Sequence, residues 1–105
     1  MKYILFILFQ INFQLFSQSK VIQNIETKVY EYNNAFQYDS SQALINDFLN
    51  KENLSFEDKY YANLFKAFTY KRLFDYNSTL KYLNIALENG LKTNKKDFFE
   101  KNIIF

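Results

Sequence analysis

The chain has 105 residues and a formal net charge of +2, with no Cys, His, Trp or Pro and a single Gly, Gly90. Without Cys or His it lacks thiol and imidazole nucleophiles, soft metal ligands and disulfides, which argues against most catalytic and metal chemistries. The near absence of Pro and Gly leaves few tight turns and argues against an all-β fold, and a nearly neutral chain has no overall field to draw nucleic acid.

Residues 1–19 read as a signal peptide. Lys2 supplies the positive charge, Tyr3 to Phe16 an apolar run broken only by Gln10, Asn12 and Gln14, and Ser17-Gln18-Ser19 the small residues at which cleavage follows Ser17 or Ser19. The run is shorter than the roughly 20 residues that a spanning helix needs. The expected destination is the periplasm or the exterior of a bacterial cell. With no Cys near position 18, no lipid anchor is expected.

From Lys20 the pattern turns amphipathic. Val21, Ile25, Val29, Tyr32 and Phe36 fall on one stripe of a first helix. Asp39-Ser-Ser-Gln42 predicts the cap of a second, whose buried face would be Ala43, Leu44, Phe48 and Leu49. Ser55-Phe-Glu-Asp58 opens a third helix, with acids at the positive end of its dipole and Tyr61, Leu64, Phe65 and Phe68 as its apolar face. Asn77 or Ser78 would cap a fourth, lined by Leu80, Leu83 and Leu87 and closed by Gly90 at a position favouring positive φ. Asn94-Lys-Lys-Asp97 repeats the third helix's opening, and Phe98, Phe99, Ile103, Ile104 and Phe105 begin a fifth helix that has no stop signal.

Several positions recur at an interval of 39. Asn24-Ile25, Asn63-Leu64 and Asn102-Ile103 are so spaced, as are Val21, Tyr60 and Phe99, and Val29 and Phe68. A fixed period of this length marks stacked helix pairs, each burying a face on the next.

The segment Phe74-Asp-Tyr-Asn-Ser-Thr-Leu-Lys-Tyr-Leu-Asn-Ile-Ala-Leu87 resembles the second half of a tetratricopeptide repeat. Asp75-Tyr76 stand at that family's turn, and Thr79 and Ala86-Leu87 at its small and Ala-Leu positions. Ala67 and Tyr70 fall at its first-helix Gly/Ala and Tyr. The sequence departs from the family where Phe74 replaces the turn Gly and Asn63 the first-helix Trp, and its 39-residue period exceeds the usual 34. The resemblance implies an all-α fold, with antiparallel helix-turn-helix pairs stacked as a short solenoid of about five helices over residues 20–105. It also implies a concave groove for a protein or peptide, and a signal peptide followed by such repeats is similar to the sensory N-terminal parts of some bacterial envelope regulators.

The residues themselves give no reaction and no cofactor. Glu57 and Asp58 point about 100° apart on a helix and read as cap residues. Lys59, Lys66, Lys71 and Arg72 interleave with aromatic rings as in a single-strand binder, but a core helix with a charged outer face explains them better, so no nucleic acid is expected. With nine Tyr in the chain, some must lie at the surface, and Tyr suits interfaces because it buries a ring while keeping a wet hydroxyl. First helices of each pair usually line the concave face, so Tyr60, Asn63, Lys66 and Tyr70 are the candidate groove residues. The uncovered fifth helix, with Phe98, Phe99, Ile103, Ile104 and Phe105, is the candidate self-association edge. It predicts that residues 20–105 are the opening of a longer repeat array, the alternative being a small exported protein that dimerises through this helix.

Overall fold

The computed structural model describes residues 19–93, which form four α-helices: α1 Lys20–Asn34, α2 Tyr38–Leu49, α3 Phe56–Arg72 and α4 Tyr76–Leu91. Residues 1–18, most of the expected signal peptide, and 94–105, the expected fifth helix with its self-association edge, lie outside the described residues. Among the described residues there is no strand, and no helix is long and apolar enough to cross a membrane.

Each helix pair closes through the same turn. At the end of α1 the Gln37 amide donates to the Tyr32 carbonyl and the Phe36 amide to the Asn33 carbonyl. At the end of α3 the Asp75 amide donates to Tyr70 and the Phe74 amide to Lys71. These are paired six-to-one and five-to-two closures, which satisfy carbonyls that a helix end leaves open. Both need a left-handed residue, and both use phenylalanine, with φ 60° at Phe36 and 59° at Phe74. Each Phe ring then meets the edge of a Tyr two residues on, Phe36 with Tyr38 and Phe74 with Tyr76, both at 6.4 Å. A non-glycine residue in this region costs about 1 kcal/mol, more than an exposed ring contact returns. Phe74→Gly is therefore expected to raise the thermal midpoint by a few degrees in a calorimetric scan.

These turns lie 38 residues apart, one fewer than the interval read from the sequence. Burial follows the shorter register. Ile22 and Tyr60 are buried, as are Val29 and Ala67, and Ser41 and Thr79. At an interval of 39, buried Tyr60 would match half-exposed Val21, and buried Val29 would match exposed Phe68. Ile25 and Leu64, 39 residues apart, are nevertheless both buried, because apolar residues neighbour one another on these helices.

The core stripe of α1 is Ile22, Ile25, Val29 and Asn33, each a near-whole number of turns apart. That of α2 is Ser41, Ile45 and Phe48, while Leu44 and Leu49 are half-buried and Ala43 exposed. α2 begins at Tyr38, before the expected Asp39 cap, because the turn at Phe36 returns the chain to helical geometry at once. Asp39 instead sits in the first turn, where its charge suits the dipole. α3 is buried on nearly every side from Tyr60 to Phe65 and contacts α1, α2 and α4. Ser55 Oγ accepts from the Asp58 amide at 3.0 Å, and the Asp58 carboxylate accepts in return from the Ser55 amide, which completes a capping box.

In α4 the expected apolar face holds in part: Leu83 packs on the core, but Leu80 and Leu87 are exposed. Asp75, not Asn77 or Ser78, caps it through the Ser78 amide. The buried residues of α4 are the small ones, Thr79, Ala86 and Gly90. Small side chains let two helices approach closely, which displaces Leu80 and Leu87 outward. Gly90 keeps negative φ inside the helix, so its value here is its missing side chain rather than a left-handed stop.

A buried polar chain ties α1, α2 and α3 together. Ser41 Oγ donates to Asn33 Oδ1 at 2.7 Å, Asn33 Nδ2 donates to Thr69 Oγ1 at 3.0 Å, and Thr69 Oγ1 donates to the Phe65 carbonyl at 3.0 Å. Ser41 and Thr69 are wholly buried, so each bond forms where water cannot replace it.

Candidate functional site

The four expected groove residues divide between two environments. Tyr60 is 2% and Asn63 6% exposed, so both belong to the interior. Asn63 Nδ2 donates to the Lys59 carbonyl one turn back. Lys66 and Tyr70 are half-buried, and the fold gathers them with residues of α2 and α4. Lys66 Nζ donates to Asn46 Oδ1 at 2.7 Å and lies 4.5 Å from the centre of the Tyr82 ring, which also stacks parallel on Tyr70 at 5.4 Å and has Lys81 Nζ at 5.3 Å. Lys66 thus has an amide oxygen and a ring for partners, and it clamps α2 to the second helix pair. This cluster is a joint between helices rather than a vacant groove.

Burial raises the Tyr60 hydroxyl above its ordinary pKa of 10.0. Burial also raises that of Tyr70, helped by the negative charges of Tyr82 and Asp75. A raised phenol pKa means the folded state holds its proton longer than the unfolded state does. The stabilisation is complete below pH 10 and is lost as pH rises above it. Chemical denaturation between pH 8 and 11 should show stability falling above about pH 10, with a shallower fall in Tyr60→Phe.

The open groove lies on the other side of α3, against α1. It encloses about 620 Å³. Val29, Asn33 and Phe65 form its floor and are all buried. Tyr30 and Phe68 stand on its rims, 68% and 42% exposed. Counted from the turns, these two are equivalent, each six residues before its left-handed Phe. The same position on each unit therefore presents an aromatic ring to one groove. Glu26 and Glu31 complete the α1 wall with Thr27, and among the described residues no Lys or Arg lines it. Arg72 lies beyond, donating from Nη1 to Asn34 Oδ1 at 3.0 Å and bracing the two helix ends.

Tyr30, Glu26 and Glu31 are absent from the sequence-based candidates, and Phe68 was assigned to the core. Aligning the chain on Phe36-Gln-Tyr38 and Phe74-Asp-Tyr76 would have paired Tyr30 with Phe68 and drawn attention to them. A smaller hollow of about 180 Å³ between α1 and α2 is lined by Val21, Lys28, Leu44, Asp47 and Lys51 among others. Among the described residues no three His, Cys, Asp or Glu gather as a metal site would require.

Fold and groove define an all-α chain of two helix-turn-helix units with an aromatic-rimmed groove between their first helices. Compared with protein-family models, curated proteins and solved structures, the chain matches none.

Proposed function

We propose that the chain is a non-catalytic helical-repeat module of the tetratricopeptide kind that binds a segment of another protein in the groove between α1 and α3. The observation that carries this reading is the pair of exposed rings, Tyr30 and Phe68, at equivalent positions over a buried apolar floor. Exposed aromatic rings beside an apolar trough are costly to leave in water and are the usual anchors of recognition. Selection of a displayed random dodecapeptide library on the purified chain tests it. Enriched peptides should lose binding to Tyr30→Ala/Phe68→Ala; a failure to enrich any peptide that depends on these rings would overturn the reading.

The module acts outside the cytoplasm, after removal of its signal peptide. Ser19 caps α1, its side chain accepting from the Ile22 amide at 3.2 Å. Cleavage after Ser17 retains this cap. Cleavage after Ser19 removes it and puts a charged amine at the positive end of the helix, which costs about 1–2 kcal/mol. The exported form therefore starts at Gln18, and the intact mass of the endogenous protein tests this.

A second reading, self-association at the C-terminal end, is supported by the exposed stripe Leu80, Leu87 and Leu91 on α4. Sedimentation over a hundredfold concentration range distinguishes the two readings.

A further inference from the structure

Both unit-closing turns carry phenylalanine where glycine would sit without strain. Phe36 and Phe74 hold left-handed backbone, and each ring is 76% exposed. The edge contact that each makes with a Tyr does not offset the strain, and neither ring lines the groove or the smaller hollow. Strain kept twice at one position without a packing gain points to a role outside the fold. The two turns lie side by side at one end of the molecule. Arg72 bonds Asn34, each two residues before its Phe, and Asn33 bonds Thr69 just behind them. Leu73 and Tyr76 add exposed surface to the same end.

Three properties of this end say what it meets. It consists of turns at helix ends rather than a trough between helices, so its rings project into their surroundings instead of enclosing a ligand. Its backbone is self-contained: the amides of Phe36, Gln37, Phe74 and Asp75 all donate to helix carbonyls, and the turns can leave water without stranding these donors. Its charges balance, because within three residues of the two phenylalanines stand Lys71 and Arg72, Asp39 and Asp75.

We propose that this end seats on the interface of a lipid bilayer with zwitterionic headgroups, independently of the groove between α1 and α3. Phe36, Leu73 and Phe74 enter the acyl boundary. Tyr76 lies at headgroup level, which suits a ring that carries a hydroxyl. The balanced charges match a headgroup layer that offers phosphate and amine together. The attachment is peripheral, since no described helix is long and apolar enough to cross a membrane.

The chain has no Trp, so Phe74→Trp in the full-length protein makes a single fluorescent reporter at this end. Phosphatidylcholine vesicles should move its emission to shorter wavelength, and brominated acyl chains should quench it. A reporter on the groove rim, Tyr30→Trp, should emit as it does in buffer. Adding Phe36→Gly to Phe74→Trp should weaken partition about tenfold with helix content intact, because glycine relieves the turn's strain. Unchanged emission at position 74 would overturn the proposal. So would an equal shift at positions 74 and 30, because the chain would then lie on the bilayer by another surface. Partition that requires anionic phosphatidylglycerol, or that survives Phe36→Gly undiminished, would show that the paired rings do not carry it and would equally sink the assignment.

Discussion

Replacing Asn33 by alanine is expected to lower the unfolding free energy by about 2–3 kcal/mol, a large share of the 5–10 kcal/mol that holds a domain of this size. The estimate follows from the buried chain Ser41–Asn33–Thr69. Truncation removes two side-chain hydrogen bonds and leaves a polar cavity at the meeting point of three helices. The two hydroxyls are not stranded, because Ser41 Oγ also lies 3.3 Å from the Val29 carbonyl and Thr69 Oγ1 already donates to Phe65. Asn33→Leu, which fills the space with apolar atoms, should therefore cost less than the alanine variant. Asn33→Asp should cost the most at pH 7, about 3 kcal/mol or more, because it buries a carboxylate without a cation, and acidification should relieve part of the loss. Urea denaturation followed by far-UV circular dichroism ranks the three. An alanine variant within about 0.5 kcal/mol of the parent would mean that apolar packing alone holds the first pair to α3.

This network also marks where the sequence was hard to read. Asn33, Ser41 and Thr69 are polar, so an apolar stripe cannot find them, yet they occupy core positions on three helices. The all-helical class was legible because composition removes the alternatives and the capping box at Ser55 is a local signal. Helix starts at Tyr38 and Tyr76 were not legible. They depend on left-handed turns at Phe36 and Phe74, which no propensity assigns to phenylalanine. On α4, Leu83 packs on the core as expected while Leu80 and Leu87 do not, for a tertiary reason: leucine is the better core residue in isolation, but Thr79, Ala86 and Gly90 hold the inward face. The groove candidates on α3 fall in two environments. The concave side was sought on α3, but Tyr60 and Asn63 point inward, while Phe68, counted as core, stands at the rim.

Two phenylalanines three residues apart on α3 should respond in opposite ways to the same substitution. Phe65 is 3% exposed and stacks on Tyr61 at 6.3 Å, as part of the core cluster and the floor of the groove. Phe65→Ala removes a full ring from a packed interior and is expected to cost about 3–5 kcal/mol, a large share of the stability of a domain of this size. Phe68→Ala removes a ring that already faces water over much of its surface, so its cost should stay below about 1 kcal/mol, while peptide affinity falls at least tenfold. Thermal unfolding and anisotropy on the same samples separate these effects. The contrast is what distinguishes a rim from a core: a Phe68→Ala variant as unstable as Phe65→Ala would mean that the ring holds α1 against α3. The space between those helices would then be a packing joint, with no function of its own, and the peptide reading would lose its main support.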